Sequence, residues 1–443
     1  ALRRTMNARA LAIEVLARVE ATDAYLNAVL DHRLSEHPLD DPRDAGLVTE
    51  LCYGATRRRL ALDHAIRRFS QRRLEQLEDR VLAALRIGAY QIFYLRVPAR
   101  AAVSETVEAL KQLGVERAAG FVNAILRRLS EQPALPLPPA DEEVPHLAVR
   151  ESHPEWLVAR WIRQFGRERA EAMLAADNQA PAVVVRANSA RITRDGLLAQ
   201  LREAGIAAEP RRVSPQGIIL PPVGRVEDVY GYAEGLWQVQ DEAAQLVGLF
   251  VGAPQGARVL DACAAPGGKA CHLAERHEVL AIDLHAHKLR KIESEAKRLG
   301  LEGRLKVLAH DATRPLPQGL GPFQAVLVDA PCSGLGTLRR HPELRYRRKE
   351  EDIHRLAALQ REILEACAGQ VLPGGLLVYA VCSTDPEEGA DQVEAFLDAH
   401  PEFTAEPPQL PGLELPMWQA YLRTLPGPEG LDGFFVARLR RTS

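Results

Sequence analysis

The chain contains the stretch Val326-Leu-Val-Asp-Ala-Pro-Cys-Ser-Gly-Leu-Gly336, and its first half is typical of a buried parallel strand. The apolar run ends at Asp329, and a loop carrying Pro331, Cys332 and two glycines follows at once. Ligands of open α/β sheets bind just beyond the carboxyl ends of the strands. The stretch therefore predicts an α/β sheet with Asp329 and Cys332 at the edge of a ligand site.

The pattern of strand, turn and helix repeats through the C-terminal half of the chain. The short apolar runs that we predict as strands are residues 257–261, 279–283, 305–311, 325–329 and 375–380. Four of these runs end in an aspartate, namely Asp261, Asp283, Asp311 and Asp329. Helical segments such as 285–299 and 353–367 lie between them. The alternation predicts a Rossmann-like domain over residues 236–443, with a mostly parallel sheet covered by helices.

The N-terminal part of the chain has a different period. From Thr5 to about residue 132, apolar residues recur at three-to-four spacing, which predicts an all-α bundle of five to seven helices. Residues 133–145 are rich in proline and read as a linker. Residues 146–235 mix helical segments with strands predicted at 182–187 and 217–220, which indicates a small α+β subdomain. We therefore expect a multidomain chain.

Composition narrows the class of protein. Apolar residues make up 47% and charged residues 26% of the 443 residues, which is ordinary for a globular protein. No apolar run approaches the roughly 20 residues of a membrane span, so we expect a cytoplasmic protein without membrane contact. The 6 cysteines form no C-x-x-C pair, so we expect reduced thiols and no metal. We also expect a monomer.

Charge is unevenly distributed along the chain. Residues 1–130 hold 21 Lys and Arg against 16 Asp and Glu, a net +5, while the remainder holds 35 against 43, a net −8. Basic clusters at Arg57–Arg59 and at Arg67, Arg68, Arg72 and Arg73 suit a surface that faces phosphates. A solvated helix face explains them equally well.

The turn Asp261-Ala-Cys-Ala-Ala-Pro-Gly-Gly-Lys269 follows the first strand of the C-terminal domain. Its paired glycines allow a ligand to approach the backbone, and the turn matches neither a Walker loop nor G-x-G-x-x-G. Asp283 stands where such folds bind a ribose diol, and Asp311 is placed to accept from an exocyclic amine. These features indicate a cofactor that contains a nucleoside, and they leave a nicotinamide and a methyl donor both open.

Two cysteines decide between these cofactors. Cys332 and Cys382 each follow a predicted strand, and Cys382 stands in Tyr379-Ala-Val-Cys-Ser-Thr-Asp385. A buried structural role is the usual one for a single cysteine, but two at neighbouring strand ends favour reactivity. Hydride transfer needs no thiol, whereas methylation of carbon 5 of a pyrimidine requires a nucleophile at carbon 6. The pair therefore favours a methyl donor.

Three motifs together resemble the NOL1/NOP2/Sun family of S-adenosylmethionine-dependent RNA cytosine methyltransferases. They are residues 261–269, Asp-Ala-Pro-Cys-Ser-Gly at 329–334 and Tyr-Ala-Val-Cys-Ser at 379–383. Residues 239–245 resemble the segment that leads into the family's catalytic domain, and 432–438 resemble its closing strand. Residues 1–132 resemble a NusB-like RNA-binding domain. This combination implies small-subunit ribosomal RNA as the substrate and an RNA-binding role for residues 146–235.

The resemblance also implies a role for each matched residue. The residues that would line S-adenosylmethionine are Cys263, Ala264, Ala265, Pro266, Gly267, Gly268 and Lys269. Asp283 would hold its ribose and Asp311 its adenine, and Asp329 would lie between the cofactor and the cytosine. Cys382 would attack carbon 6, and Cys332 would assist release of the methylated base. The sequence departs from the family where Val381 replaces threonine and Gly389 replaces asparagine.

Two other functions are compatible with the sequence. A non-catalytic RNA-binding assembly factor with a vestigial cofactor fold is one alternative, although both thiols and all four acids argue against it. A nicotinamide oxidoreductase is a more distant one. The basic residues within 339–349 follow the Cys332 loop directly, and we expect them to contact phosphates beside a target base that has left its helix stack.

Overall fold

The computed structural model describes residues 6–39, 41–95 and 97–442. The chain divides into two compact units. We call them the helical unit, made of residues 1–180 and 338–347, and the sheet unit, made of residues 181–337 and 348–443. Thr5, the first residue of the predicted bundle, lies outside the described residues.

Helices dominate the first 180 residues and cover the sheet later in the chain. In chain order the α-helices are α1 (Ala8–Ala21), α2 (Leu26–Glu36), α3 (Pro42–Arg57), α4 (Arg59–Arg67), α5 (Asp79–Phe93), α6 (Ala99–Gln112), α7 (Ala119–Ser130), α8 (Glu143–Arg150), α9 (Glu155–Phe165), α10 (Arg167–Asp177), α11 (Arg194–Glu203), α12 (Glu242–Val251), α13 (Gly268–Ala274), α14 (Ala286–Leu299), α15 (Leu344–Arg347), α16 (Glu350–Ala368) and α17 (Ala390–Ala399).

Strands occur only after residue 180 within the part of the chain that the structure describes. They are β1 (Val183–Ala187), β2 (Glu209–Pro210), β3 (Gly217–Leu220), β4 (Trp237–Val239), β5 (Arg258–Ala262), β6 (Glu278–Asp283), β7 (Leu305–Ala309), β8 (Phe323–Asp329), β9 (Val371–Val381), β10 (Phe403–Ala405), β11 (Met417–Trp418), β12 (Tyr421–Thr424) and β13 (Phe434–Arg441).

The helical unit is built around α5. Every residue of this helix from Val81 to Gln91 is buried, so α5 has no solvent face over three turns and α1, α3, α6 and α7 pack around it. Local sequence also fixes where helices begin. The Asn7 side chain accepts from the backbone N–H of Ala10 at 2.8 Å, which caps the start of α1. The predicted all-α bundle is confirmed.

The sheet unit contains a large sheet with the strand order β11-β12-β13-β9-β8-β5-β6-β7, and β10 pairs with β13. Strands β9, β8, β5, β6 and β7 run parallel to their neighbours, whereas β13 is antiparallel to β9. Buried apolar side chains form a core on each face of the sheet. The predicted Rossmann-like domain with a mostly parallel sheet is confirmed, and its parallel strands present their carboxyl ends at one edge.

The stretch predicted as one α+β subdomain is divided in the structure. Its helices α8, α9 and α10 belong to the helical unit, whereas β1 begins the sheet unit at Val183. There β1, β3, β4 and β2 form a separate antiparallel sheet of four strands, ordered β2-β3-β1-β4, and α11 packs on it. The linker is also shorter than the predicted 133–145, because α8 begins at Glu143. Pro145 falls in the first turn of α8, where a proline is tolerated.

Among the described residues, we find no helix whose length and apolar character would let it cross a membrane.

Candidate active site

The two predicted thiols meet at the carboxyl edge of the large sheet. Strands β8 and β9 are parallel neighbours, with Asp329 opposite Ala380 in the register. Cys332 lies three residues beyond the end of β8, and Cys382 directly follows β9. The two Sγ atoms are 3.3 Å apart, and both thiols are free. The structure therefore places residues that are 50 positions apart in sequence within contact distance.

Backbone hydrogen bonds at two glycines join the Cys332 loop to the Cys382 loop and to the segment that precedes β13. The backbone N–H of Gly336 donates to the carbonyl oxygen of Cys382 at 3.0 Å, and the N–H of Gly433 donates to the carbonyl of Gly336 at 2.7 Å. A Cβ at position 336 would collide with the carbonyl oxygen of Gly433. Because backbone meets backbone at this point, a side chain on Gly336 would push the Cys332 loop away from the segment that precedes β13.

The surroundings of Cys332 favour its protonated form. The hydrogen bond with Cys382, then burial, then the negative charge of Glu388 raise the pKa of Cys332 well above the ordinary value of a thiol. Cys332 is therefore held in its protonated form and is placed to donate towards Cys382.

Lys269 and Asp329 form an ion pair beside the thiols. The ammonium Nζ lies 2.8 Å from Oδ2 of Asp329, and only 14% of the Lys269 side chain is exposed. Burial lowers the pKa of Lys269, but the charge and hydrogen bond of Asp329 and the charge of Cys382 outweigh it, so the net shift is upward. The ammonium also lies 5.3 Å from the ring centre of Phe434. The sequence predicted Lys269 only as a cofactor-binding residue, whereas in the structure its ammonium forms an ion pair with Asp329.

The turn between β5 and α13 forms a backbone cradle. Cys263 and Gly267 both have positive φ, at 63° and 109°, and a Cβ at Gly267 would come within 2.9 Å of Ile292. Burial raises the pKa of Cys263 well above its ordinary value, which favours the protonated thiol. The remaining predicted lining residues, 264–269, lie along this turn and the start of α13.

Asp283 and Asp311 occupy the ends of neighbouring strands. Asp283 is the last residue of β6, and its carboxylate accepts from the backbone N–H groups of Ala265 and His285 at 3.3 and 3.0 Å. It therefore fixes the cradle to β6. Asp311 lies two residues beyond β7, in a loop and not within the strand as predicted. Hydrogen bonds from Thr313 lower the pKa of Asp311, which keeps it ionised.

Asp261 is an acid at a strand end for which the sequence suggested no particular role. It is the penultimate residue of β5 and is fully buried, and neither carboxylate oxygen has a hydrogen-bond partner among the described residues. Burial and the charges of Asp329 and Asp283 raise its pKa well above the ordinary value, although Lys269 opposes them. An unsatisfied buried carboxyl beside the cradle suits a ligand that brings a positively charged or hydrogen-bonding group.

A second residue for which the sequence suggested no role is Glu388. Its carboxylate accepts from Ser333 and from Ser383, the residues that follow the two cysteines. The feature of the sequence that could have pointed to a shared acceptor such as Glu388 is the serine that follows each cysteine. At the two departures from the family, Val381 is fully buried, and a Cβ in place of the glycine at position 389 would come within 3.1 Å of Phe435.

The first basic cluster of the helical unit is largely internal. Arg57 is buried, and both Arg57 and Arg58 donate to backbone carbonyls. Arg59 pairs with Glu20 at 2.8 Å. Arg57–Arg59 therefore stabilise the fold, so neither of the two interpretations of this cluster, a surface that faces phosphates or a solvated helix face, describes it.

The second basic cluster differs. Residues 67–73 end α4 and continue into an exposed segment. Arg67 pairs with Glu75 at 2.9 Å, whereas Arg68, Arg72 and Arg73 have exposed side chains. This cluster remains available to phosphates.

The basic residues after the Cys332 loop were also expected to contact phosphates, and the structure contradicts this for most of them. Arg339 and Arg345 are buried in the helical unit. Arg347 donates to four backbone carbonyls at the end of α1, and Arg348 donates to the carbonyl of Ser333 at 2.8 Å. These guanidinium groups are used within the protein, where they satisfy carbonyls that would otherwise lack partners.

Among the described residues, no group of three or more His, Cys, Asp or Glu side chains is arranged to hold a metal ion.

Fold and site together define a methyltransferase joined to a NusB-like domain. Residues 250–440 match the model of the 16S rRNA methyltransferase RsmB/F family. Residues 6–131 match the NusB family, and 153–227 match the ferredoxin-like domain of RsmF/B-like methyltransferases. The last match crosses the boundary between the two units at residue 180.

Whole-length relatives identify the family. The chain is 40% identical to ribosomal RNA small subunit methyltransferase B of Pseudomonas putida, over 98% of both chains. It is 35% identical to the protein of that name from Salmonella typhi, over 99% of both, and 34% identical to the probable one of Bacillus subtilis, over 98% of both. The chain belongs to the family of ribosomal RNA small subunit methyltransferase B.

Solved structures share the fold. A crystal structure of PH0851 superposes with a TM-score of 0.85 at 24% identity, over 98% of this chain and 99% of that one. NSun6 from Pyrococcus horikoshii, determined with SFG, covers 66% of this chain and 99% of its own, with a TM-score of 0.58 at 21% identity. The resemblance inferred from three short motifs is confirmed at the level of the family.

Proposed function

We propose that the protein transfers a methyl group from S-adenosylmethionine to carbon 5 of a cytidine in small-subunit ribosomal RNA, through a covalent bond between Cys382 and carbon 6. The observation that carries this proposal is the pair of thiols 3.3 Å apart beside the Lys269–Asp329 ion pair. A non-catalytic RNA-binding factor would have no use for two thiols brought together at a strand edge. Membership in a family of ribosomal RNA methyltransferases supports the same reaction class.

The residues present fit S-adenosylmethionine. The cradle of residues 263–269 is open to a ligand at the backbone, and the unsatisfied carboxyl of Asp261 beside it suits the cofactor's ammonium or sulfonium charge. Asp283 would bind the ribose hydroxyls and Asp311 the adenine amine. When bound, the cofactor supplies an electrophilic methyl group to carbon 5.

Cys382 begins the reaction. Its sulfur adds to carbon 6 of the cytosine and forms a carbon–sulfur bond, which makes carbon 5 nucleophilic. Negative charge then develops on the ring. Lys269 carries a fixed ammonium next to this position, and Asp329 both orients that ammonium and offers an acceptor to the cytosine amine. Charges fixed in advance stabilise such a transition state without reorganisation.

Release requires the reverse of the first bond. After the methyl group has been added, a base takes the proton from carbon 5, and the electron pair of that carbon–hydrogen bond restores the double bond between carbons 5 and 6. The bond between carbon 6 and the Cys382 sulfur breaks, and its electron pair returns to sulfur. Cys332, held protonated, donates a hydrogen bond to the departing thiolate and so assists elimination. One thiol therefore forms the adduct and the other helps to resolve it.

RNA binding is proposed for both units. In the helical unit, Arg68, Arg72 and Arg73 are the exposed basic residues of the second cluster. They lie on a segment between α4 and α5 that can follow a phosphate backbone. The small sheet of β1–β4 is proposed as a second RNA contact, as the family resemblance implies.

The test is methyl transfer to a defined RNA. Small-subunit RNA prepared from cells lacking the protein would be incubated with the full chain and tritiated S-adenosylmethionine, and the product mapped by bisulfite sequencing. We expect label to appear together with a single new bisulfite-resistant cytidine. Label without bisulfite resistance would refute carbon 5 as the target, and absence of label would refute catalysis. A thermal-shift titration with S-adenosylmethionine and with NAD tests the cofactor independently.

A further inference from the structure

The two loops that carry the thiols share one acceptor beneath them. Oε2 of Glu388 accepts from the hydroxyls of Ser333 and Ser383, both at 2.5 Å. Oε1 accepts from the backbone N–H of Ser333 at 2.8 Å and from Nε2 of Gln360 at 3.0 Å. Each serine directly follows a cysteine of the pair. A single carboxylate thus joins the loop after β8 to the loop after β9.

The carboxylate belongs to a closed network. Glu388 and Ser333 are both fully buried, and Gln360 also donates to the carbonyl of Pro331 at 3.0 Å. The hydroxyl of Tyr379 donates to the backbone carbonyl of Glu388 at 2.6 Å. Burial raises the pKa of Glu388, and the four hydrogen bonds to its carboxylate oppose that shift. Burying a carboxylate costs desolvation free energy unless hydrogen bonds compensate for it, as they do here. An apolar side chain would fill the same space without that cost, so we infer that the network has a function other than packing.

We propose that Glu388 is a positioning residue for the reaction, which holds Cys332 in register with Cys382 by bonding Ser333 and Ser383 to one carboxylate. The inference rests on the proposed function of the two thiols. Cys382 is held independently, because it follows β9 directly and its carbonyl accepts from Gly336. Cys332 lies in an irregular loop, where Glu388 supplies two of the bonds to the next residue. Loss of the carboxylate should therefore displace Cys332 more than Cys382.

Glu388 also acts on Cys332 through its charge. The charged or titratable groups that face the Cys332 loop come from several elements, and they are Cys382, Glu388, Tyr379, Arg348 and, through Cys382, the pair Lys269 and Asp329. Among them, the charge of Glu388 is one of the causes that raise the pKa of Cys332. Removing that charge should lower the pKa of Cys332 and make it a proton donor over a narrower range of pH.

The variant Glu388→Gln keeps the shape of the side chain and removes its charge. We expect kcat for methyl transfer to fall by about 10²-fold, as for a displaced catalytic group, with KM for RNA and the affinity for S-adenosylmethionine within about two-fold of wild type. The covalent protein–RNA adduct should accumulate on a denaturing gel, because resolution slows more than formation. The alkaline limb of the rate of adduct resolution should move to lower pH, a change that looser packing alone would not produce.

Two further variants keep the test decisive. Glu394→Gln changes an exposed acid on α17 and should behave as wild type. The double variant Ser333→Ala/Ser383→Ala should reproduce the loss in kcat, and adding Glu388→Gln to it should cost little more, since residues that act as one unit are not additive. If Glu388→Gln fails to fold, Ser333→Ala alone still tests the bond and should give an intermediate loss.

Failure of the inference differs from failure of the proposed function. If Cys332→Ala traps an adduct while Glu388→Gln has the wild-type kcat and adduct level, Glu388 does not position the thiols. A rise in KM at unchanged kcat would equally overturn the positioning role. If Cys332→Ala forms no adduct and the wild type makes no 5-methylcytidine, the covalent mechanism itself is wrong.

Discussion

A buried arginine of the helical unit, Arg345, and a buried acid of the sheet unit, Asp261, differ in whether other groups of the protein satisfy their polar atoms. In the helical unit, Arg345 is fully buried and donates to three backbone carbonyls and to the side chain of Asn178. Arg347 satisfies carbonyls at the end of α1. In the sheet unit, Asp261 is equally buried and neither of its carboxylate oxygens has a partner among the described residues.

The difference follows from the secondary structure around each group. The last turn of every helix leaves carbonyls without intrahelical partners, and a buried guanidinium with five donors satisfies several at once. The carboxyl edge of a parallel sheet instead leaves a crevice in which side chains are available to bind a ligand. Arg345 therefore contributes to stability, whereas the carboxyl of Asp261 is placed where a ligand could satisfy it. The following variants test that division.

The largest effect is expected for Cys382→Ala. Methyl transfer should fall by about 10³-fold or more, because the nucleophile is removed. Stability should change by less than about 1 kcal/mol, since the half-buried thiol carries little of the core. Scintillation counting of labelled RNA measures the first quantity, and thermal unfolding with and without S-adenosylmethionine the second. Turnover by Cys382→Ala together with an inactive Cys332→Ala would reverse the roles of the two thiols.

Cys332→Ala should separate formation of the adduct from its resolution. We expect turnover to fall by about 10²-fold while a covalent complex with RNA builds up, because the donor that assists elimination is missing. A denaturing gel with end-labelled RNA detects the complex as a band of reduced mobility. The control is the double variant Cys332→Ala/Cys382→Ala, which should form no band. A band in the double variant would mean that another nucleophile attacks the base.

Sequence patterns predicted the sheet and the strand-end residues well because both follow from local periodicity. Strand β3 was predicted at its observed bounds, and β8 ends at Asp329 as predicted. Strands β2, β4, β10, β11 and β12 were missed, because each has only two to four residues, which is too few to establish an alternating pattern. Strand β9 is longer than predicted, since Gly374 and Gly375 interrupt its apolar run without ending its pairing.

The sequence-based predictions failed chiefly for the arginine side chains that were expected to contact phosphates. A run of positive charge looks the same whether its partners are phosphates or backbone carbonyls. The segment of residues 338–347 illustrates the problem, because it follows the Cys332 loop in sequence and yet packs inside the helical unit. Its partners lie about 170 to 330 positions away, a separation that no local pattern encodes. Glu388 escaped notice for a related reason, since its role depends on two loops that meet only in the fold.

Arg345→Met should lower stability without affecting the chemistry directly. Its guanidinium donates to the carbonyls of Arg57, Ser152 and Asp177 at 3.2 Å each, and methionine would remove all three hydrogen bonds from a buried site. We expect stability to fall by about 2 to 4 kcal/mol, measured by denaturant unfolding followed with circular dichroism. Arg18→Met, at an exposed position on α1, is the matched control and should change stability by less than about 0.5 kcal/mol. An unchanged unfolding midpoint for Arg345→Met would show that buried arginines do not hold this unit together.

The smallest effect is expected at the exposed cluster of the helical unit. Deleting residues 1–133 is not a clean test of RNA binding, because it would remove bonding partners of the 338–347 segment, such as the N–H of Leu26 that donates to Glu343 at 3.0 Å. The double variant Arg68→Ala/Arg72→Ala leaves those bonds intact. Removing one arginine from a phosphate should reduce the slope of log affinity against log salt by about 0.7 to 0.9, so the double variant should reduce it by about 1.4 to 1.8.

The control for this variant is Arg43→Ala, which removes an equally exposed charge whose guanidinium is paired with Asp41 at 2.7 Å. Binding of small-subunit RNA would be measured by filter retention at several salt concentrations. Because Arg68 and Arg72 are proposed to touch phosphates and no bases, their removal should weaken binding to all RNA sequences alike and leave the site of methylation unchanged. An identical salt slope for Arg68→Ala/Arg72→Ala and wild type would mean that this exposed cluster is solvated and that the contact with RNA lies in the sheet unit.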